Sequence, residues 1–464
     1  MSLYSFYRIS KPSAEKIPQD RVAKEYKSLR NKTFWGAVVA YSLYYVCRMS
    51  LSVVKQPLID EGILSAGQLG LIGSALLFVY AVGKFMNGFI ADYCNVRRFM
   101  ATGLFVSALI NLLMGVLGFL HGPAGIPSFV MFVSFAVLWG INGWMQSMGS
   151  PPGVISLSRW FPLSKRGTFY SIFSATPYIG EFLSFIVTGM IVGTLGWQYG
   201  FAVAALAGLA GAVVILIFVS DTPESKGLPS VHELSGEKKK PEDEMSTREL
   251  QKTVLRHPGI WVIAISSSFI YITKYAIAGW GVLFLQKENG YSIEDATQII
   301  AFSAAFGVLG TVLAGWLSDK IFKGDRVKPA VISGILSFIS LFLFLFLDGG
   351  FVMNIFYVSL FSLSTGVLYC IVAGLMAVDI VPRKATGAAL GVVGISSYVA
   401  AGLQDISSGY LIQFNMENIG GTDVYDFGPV SCFWMAAALI SFLLPVLNWK
   451  KMKKDNHIAN INKQ

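Results

Sequence analysis

Long apolar runs alternate with short polar breaks along most of the chain. They lie near residues 33–54, 68–91, 98–120, 127–158, 166–195, 197–220, 258–286, 292–322, 327–347, 351–379, 385–413 and 427–449. A helix needs about 20 mostly apolar residues to cross a bilayer core, so this pattern predicts twelve spanning helices. The runs 127–158 and 292–322 exceed that length, and their ends are expected to project from the hydrocarbon. One interruption differs from the rest. Asp221–Arg256 carries 8 acidic and 7 basic residues in 36, with Pro223, Pro229 and Pro241, too polar a stretch to fold on its own. The predicted organisation is an all-α membrane protein: a segment 1–32, a six-helix bundle 33–220, a linker 221–256, a second six-helix bundle 257–449 and a tail 450–464.

Composition agrees. Hydrophobic residues make up 54% and charged residues 14% of the 464, against roughly 45–50% and 25% in soluble domains, and mean hydropathy is +0.59. Residues 1–32 are too polar for a cleavable signal, so the first run is expected to be retained. The positive-inside rule sets the orientation. With the N-terminus in the cytoplasm, 31 of the 36 Lys and Arg fall in cytoplasmic segments. Lys55 and Lys287 are then left to the outer loops, and Arg48, Lys84 and Lys274 lie within apolar runs. Both termini are therefore expected in the cytoplasm, and the basic excess belongs to the membrane rather than to nucleic acid. Cys47, Cys94, Cys370 and Cys432 lack metal-ligand spacing and read as packing residues. No metal, cofactor or enzymatic motif is expected.

The two bundles repeat one another. Gly88-Phe-Ile-Ala-Asp92 ends the second run and Gly315-Trp-Leu-Ser-Asp319 the eighth, 227 residues later. Phe161-Pro162…Arg166-Gly167 is answered by Val381-Pro382…Thr386-Gly387, 220 residues later. Duplicated bundles of this kind build transporters around a midplane site.

Charges at bilayer depth are costly and usually functional. Five are predicted: Arg48, Lys84, Lys274, Glu181 and Asp405. Arg48 and Lys274 stand 226 residues apart, at matching depth in the first and seventh runs, roughly 22–24 Å from the cytoplasmic ends at 1.5 Å per residue. They form either an anion clamp between the halves or structural ion pairs with Glu181 and Asp405. The planar fork of Arg suits a phosphate, and Lys adds a mobile point charge. Tyr41, Tyr45 and Arg48 share a helix face, as do Tyr271 with Lys274 and Tyr80 with Lys84. Each tyrosine is either a ligand contact or ordinary packing. Asp92, Arg97 and Arg98, echoed by Asp319, suggest a latch that breaks as the halves rock. Gly387-xxx-Gly391 would permit close helix approach.

The loop Gly88…Asp92…Arg97-Arg98 and its echo resemble the signature loops of the major facilitator superfamily. Tyr44-Tyr45-Val-Cys-Arg48, Tyr80-Ala-Val-Gly-Lys84-Phe and Gly143-Trp-Met-Gln146-Ser-Met-Gly149-Ser-Pro151-Pro152 resemble the organophosphate:phosphate antiporters. So do Trp160-Phe161…Lys165-Arg166-Gly167 and Asp221-Thr-Pro223-Glu-Ser-Lys-Gly227-Leu. Lys274-Tyr-Ala-Ile-Ala-Gly-Trp280-Gly and Ala388-Ala-Leu-Gly391…Ser397-Tyr398 are most similar to the hexose-phosphate branch, which includes transporters and sensors. The resemblance spans residues 33–449. It implies phosphate binding by Arg48 and Lys274, supported by Lys84, Tyr45 and Tyr271, and adds Tyr398 to the candidate site. One departure stands out. After Ser171, Pro177 occupies the place where that family often carries a His, and Glu181 lies one turn later.

The expected function is exchange of a sugar phosphate, such as glucose 6-phosphate, for inorganic phosphate across the cytoplasmic (inner) membrane, by a protein acting as a monomer. The alternatives are a sugar-phosphate sensor with little transport, and proton-coupled drug efflux using Glu181 or Asp405.

Overall fold

The computed structural model describes residues 3–162, 169, 172–235, 255–322, 325–347, 349–380, 386–419 and 422–461. Twelve helices among them are long and apolar enough to cross a membrane. In the first half these are α1 (Gln19–Asp60), α2 (Ala66–Asp92), α3 (Val96–His121), α4 (Ser128–Ser147 continued by Ser150–Trp160), α5 (Thr176–Leu195) and α6 (Trp197–Phe218). In the second half they are α7 (Pro258–Lys287), α8 (Ile293–Trp316), α9 (Val327–Phe346), α10 (Gly350–Tyr369, continued by a π-helical turn Cys370–Met376), α11 (Thr386–Phe414) and α12 (Gly428–Ile461). A small antiparallel hairpin, β1 (Met416–Ile419) and β2 (Thr422–Tyr425), joins the last two.

Local chemistry sets the helix ends. Ser65 and Gln68 form a reciprocal capping box at the start of α2, and the Asn95 and Ser292 side chains cap α3 and α8. These caps satisfy amides that have no partner within the helix. Gly196, at φ 102°, turns the chain between α5 and α6 in a single residue, a conformation that a side chain would oppose. The break in α4 falls before Pro151 and Pro152, which occupy the first turn of its second piece, where a missing N–H costs little.

An even number of crossings puts both chain ends on one side, the terminal face; the opposite side is the far face. The halves meet chiefly where α2 packs on α11 and α5 on α8, with α1 and α7 touching between them. Small residues make this approach possible toward the far face. A methyl group on Gly70 would lie 2.5 Å from the Asp405 carbonyl oxygen, and one on Gly409 2.6 Å from that of Ala66. Gly189 and Gly193 give α8 the same access to α5, against Thr297 and Glu294. The expected close-approach residue Gly391 faces open space instead, because the crossing on α11, from Gly402 to Gln413, lies about three to six turns farther along; the surroundings of Gly387 lie outside the described residues. Side-chain bonds lock the far face. Lys287 of α7 pairs with Asp60 of α1, and Gln413 of α11 accepts from the Ser65 hydroxyl and the Gly67 amide at 3.0 and 2.9 Å.

Three boundaries differ from expectation. Gln19–Lys32 is not a separate segment but the first turns of α1, and α12 continues through the expected tail to Ile461. The first part of the linker is folded onto the N-terminal half. Ser13 and Ile17 donate backbone bonds to Glu224 and Gly227, and Asp221 is buried. Residues 236–254, Lys165-Arg166-Gly167, Ser171 and Arg383-Lys384 lie outside the described residues, as do the side chains of Asp92 and Asp319.

Candidate functional site

Arg48, two-thirds of the way along α1, is 5% exposed. Its guanidinium lies 4.3 Å from the ring centre of Tyr80, 5.3 Å from Tyr45, 5.6 Å from Tyr398 and 5.9 Å from Tyr275, and Nη2 donates to the Tyr275 hydroxyl at 3.2 Å. Lys84 of α2 lies over Tyr398 at 5.1 Å and Tyr80 at 5.9 Å. On the other half, Lys274 of α7 lies 4.2 Å from Tyr178 of α5 and 5.9 Å from Tyr369 of α10. Tyr271 bridges the two groups, packing against Tyr275, Tyr369 and Tyr398. Tyr41 stands apart, stacked on Phe173 and edge-on to Tyr45.

No carboxylate among the described residues lies within salt-bridge distance of Arg48 or Lys274. Glu181 of α5 lines the same cavity as Lys274 and Tyr178 without closing on the ammonium. Aromatic faces attract cations, but they carry no formal charge. The geometry therefore leaves a buried positive charge at Arg48 and a half-buried one at Lys274, flanked by ring faces and phenol hydroxyls and ion-paired to no carboxylate among the described residues, a setting that favours an incoming anion.

Asp405 has other company. Its Oδ1 accepts from Lys55 Nζ at 3.4 Å and from Trp280 Nε1 at 2.6 Å, and Lys55 Nζ sits 3.4 Å from the Trp280 ring centre. Lys55 thus corrects an expectation. It is not an outer-loop residue but is 2% exposed within α1, because α1 continues for another five residues past it before ending at Asp60. Lys55 thus joins the five expected intramembrane charges as a further buried one. Asp405 is committed to Lys55, while no carboxylate among the described residues closes to ion-pair distance on Arg48 or Lys274.

Arg97 and Arg98 lie on the terminal face and bond within their own half. Arg97 donates to the carbonyl of Leu216, and Arg98 to that of Phe6 at 2.7 Å. Their neighbour Asp221, expected as the first residue of the linker, is instead a structural tie. Its carboxylate accepts from Arg159 at 2.5 Å, the Val96 amide at 3.0 Å and the Ser10 amide at 2.8 Å, tying the start of α3, the end of α4 and the N-terminal segment together.

Lys55, Tyr178, Tyr275 and Tyr369 join the site without having been singled out in the sequence. Tyr178 shares a face with Glu181 at i, i+3, a signal that was readable. Tyr275 lies four residues after Tyr271 and stacks on it, so the face it shares with Tyr271 was readable; its contact with Arg48 depends on α7 packing on α1.

The family model described as Major Facilitator Superfamily matches residues 37–404. The glycerol-3-phosphate transporter of Bacillus subtilis (strain 168) is 30% identical over 96% of this chain and 98% of its own. A probable hexose phosphate transport protein of Chlamydia pneumoniae is 31% identical over 97% and 98%. The membrane sensor protein UhpC of Escherichia coli (strain K12) is 29% identical over 80% and 82%. Among solved structures, a bacterial homolog of the human lysosomal transporter Spinster superposes with a TM-score of 0.70 at 17% identity, covering 93% of this chain and 97% of that one. With twelve spans, two six-helix halves and buried cations between them, the chain is a multi-pass membrane protein that belongs to the Major Facilitator Superfamily.

Proposed function

We propose that this protein exchanges a sugar phosphate, hexose 6-phosphate in particular, for inorganic phosphate by alternating access in the cytoplasmic (inner) membrane, with its terminal face inside. One observation carries the proposal: Arg48, buried, and Lys274, half-buried, stand on corresponding helices of the two halves, each beside tyrosine rings and with no carboxylate at ion-pair distance among the described residues. A phosphate monoester brings about −1.5 to −2 charges near neutral pH and three acceptor oxygens. Arg48 would meet it as a fork and Lys274 as a point charge, with Lys84 and the hydroxyls of Tyr45, Tyr80, Tyr271 and Tyr398 completing the shell. Binding both cations draws the halves together and trades the far-face closure for a terminal-face one. Asp92, Arg97, Arg98 and Asp319 would hold that second closure. Loss of the anion uncovers two desolvated charges, so reloading precedes return and exchange is obligatory. Both halves of the site come from one chain, which supports action as a monomer. The names of the glycerol-phosphate and hexose-phosphate relatives support the substrate class.

Purified protein in phosphate-loaded vesicles tests this. External glucose 6-phosphate should release labelled phosphate, and unphosphorylated glucose should not. Release by neither, with binding also absent, overturns the proposal. The relationship to a membrane sensor favours one second reading, a sugar-phosphate receptor, which binding without exchange would identify.

A further inference from the structure

The cavity that begins at Arg48 does not end there. It continues toward the far face between α1, α2, α7 and α11, past Tyr275 and Gly279 to Lys55, Gln404 and Asp405. Arg48 and Lys55 are seven residues apart on one helix, about 10 Å at 1.5 Å per residue, which is close to the length of a phosphorylated six-carbon polyol. The two ends differ in chemistry. At the Arg48 end the protein offers a cation and phenols. At the other it offers acceptors with unused capacity. Gln404 is 1% exposed; its Nε2 donates to Ser408 at 2.8 Å, while Oε1 has no hydrogen-bond partner. Asp405 uses Oδ1 for Lys55 and Trp280, and among the described residues Oδ2 accepts no hydrogen bond. That oxygen lies against Gly73, which also lines the cavity and where a methyl group would fall 1.7 Å from it.

A buried acceptor with no donor is costly, and unpaired polar groups on a cavity wall select a ligand that supplies the missing donors. Resting on the phosphate reading above, we infer that this far end is a hydroxyl-recognition subsite. Gln404 Oε1 and Asp405 Oδ2 accept from the hydroxyls of a polyol whose phosphate is held at Arg48, and Gln404 sets the preference for sugar phosphates over inorganic phosphate.

The test measures binding to the full-length protein in detergent with three probes: inorganic phosphate, glucose 6-phosphate and n-butyl phosphate, the last matching the sugar ester in charge without its hydroxyls. The unaltered protein should bind n-butyl phosphate at least about tenfold more weakly than glucose 6-phosphate. Gln404→Met, close in volume, should weaken glucose 6-phosphate by about three- to tenfold more than it weakens inorganic phosphate. Equal affinity for the two esters, or equal loss of glucose 6-phosphate and inorganic phosphate in Gln404→Met, overturns the inference while the anion reading survives. If Gln404→Met does not fold, the ester comparison on the unaltered protein decides alone. Failure of the unaltered protein to bind any of the three overturns the anion reading itself, and the subsite with it.

Discussion

Arg48 and Lys55 sit two turns apart on the same helix, both almost wholly buried, and their surroundings could hardly differ more. Lys55 has a carboxylate at 3.4 Å and an indole face at 3.4 Å. Arg48 has four tyrosine rings and one hydroxyl. A buried charge with its counter-charge built in has its electrostatic needs met within the protein. A buried charge with only rings and phenols nearby is held ready for something that arrives from outside. Burial is common to both residues, and it is the partner that distinguishes a charge answered within the protein from one left for a ligand. The same contrast holds across the halves, since Lys274 has the company of Arg48 rather than that of Lys55.

Mutation should separate the two classes most sharply in stability without ligand. Asp405→Asn strands Lys55, and Lys55→Met strands Asp405. Breaking a buried pair from one side costs about 3–5 kcal/mol, whereas replacing both members with apolar side chains costs far less. Thermal unfolding in detergent should therefore show a large loss for either single variant and recovery in Lys55→Met/Asp405→Leu. Lys274→Met should behave in the opposite way, leaving the ligand-free midpoint unchanged or higher, because it breaks no closed ion pair among the described residues. It should also abolish the stabilisation by phosphate, which reaches about 2.7 kcal/mol for a ligand at a hundred times its dissociation constant. Equal destabilisation by Lys274→Met and Lys55→Met would make Lys274 the structural partner of Glu181 across their shared cavity and erase the distinction.

A second effect concerns geometry rather than charge. Arg48→Lys keeps the cation but loses the fork and its reach across Tyr80. A charge-assisted hydrogen bond is worth about 1.5–3 kcal/mol, so phosphate affinity should fall roughly tenfold or more in protein that inserts normally. Unchanged exchange kinetics in vesicles would remove Arg48 from the site.

Much of this molecule was readable along the chain. Twelve runs became twelve spans, because a bilayer requires long uninterrupted apolar helices and leaves few alternatives. Arg48 and Lys274 stood out because charge is rare at that depth. Lys55 was misread for a physical reason: the apolar window closes near residue 54, while the helix persists through Pro57 to Asp60 with the second half covering its last turns. Its partner lies 350 residues away, so no local spacing could have revealed the pair. Tyr369 escaped for the same reason, since it joins the site through helix packing, whereas Tyr275 shares the face of Tyr271 at i, i+4 and was legible in the periodicity. The stripe Gly67, Gly70 and Gly73 was visible as sequence, but which neighbour it admits was not.

That stripe provides the third prediction. Gly70→Val places side-chain atoms where the Asp405 carbonyl stands 2.5 Å from even a first carbon, so α2 and α11 must part. Overpacking of this kind costs about 1–3 kcal/mol, and here it falls on the far-face closure. A cysteine introduced at Gln413 should then react faster with a membrane-impermeant thiol reagent than the same cysteine beside the native glycine. No change in labelling would mean that the closure does not depend on this crossing.

The smallest effect on binding is expected at the half-exposed arginines of the terminal face. Arg97 and Arg98 hold the Leu216 and Phe6 carbonyls on the terminal face, and neither bond crosses to the second half. Their contribution to ligand binding should be minor, since the cavity at Arg48 is lined by neither residue. If the terminal face closes during exchange, however, these side chains must exchange backbone partners or hold them while α2 and α3 tilt. Arg97→Gln/Arg98→Gln should therefore change the maximal exchange rate by several-fold and leave the phosphate dissociation constant within about threefold, a difference below about 0.7 kcal/mol. Asp221→Asn supplies the contrast. It removes the carboxylate that joins Arg159, the start of α3 and the N-terminal segment, so it should lower stability as well as rate. Parallel losses in rate and stability for all three substitutions would make the arginines part of the same structural tie as Asp221. A loss of phosphate affinity in the double arginine variant would instead extend the binding path to the terminal face.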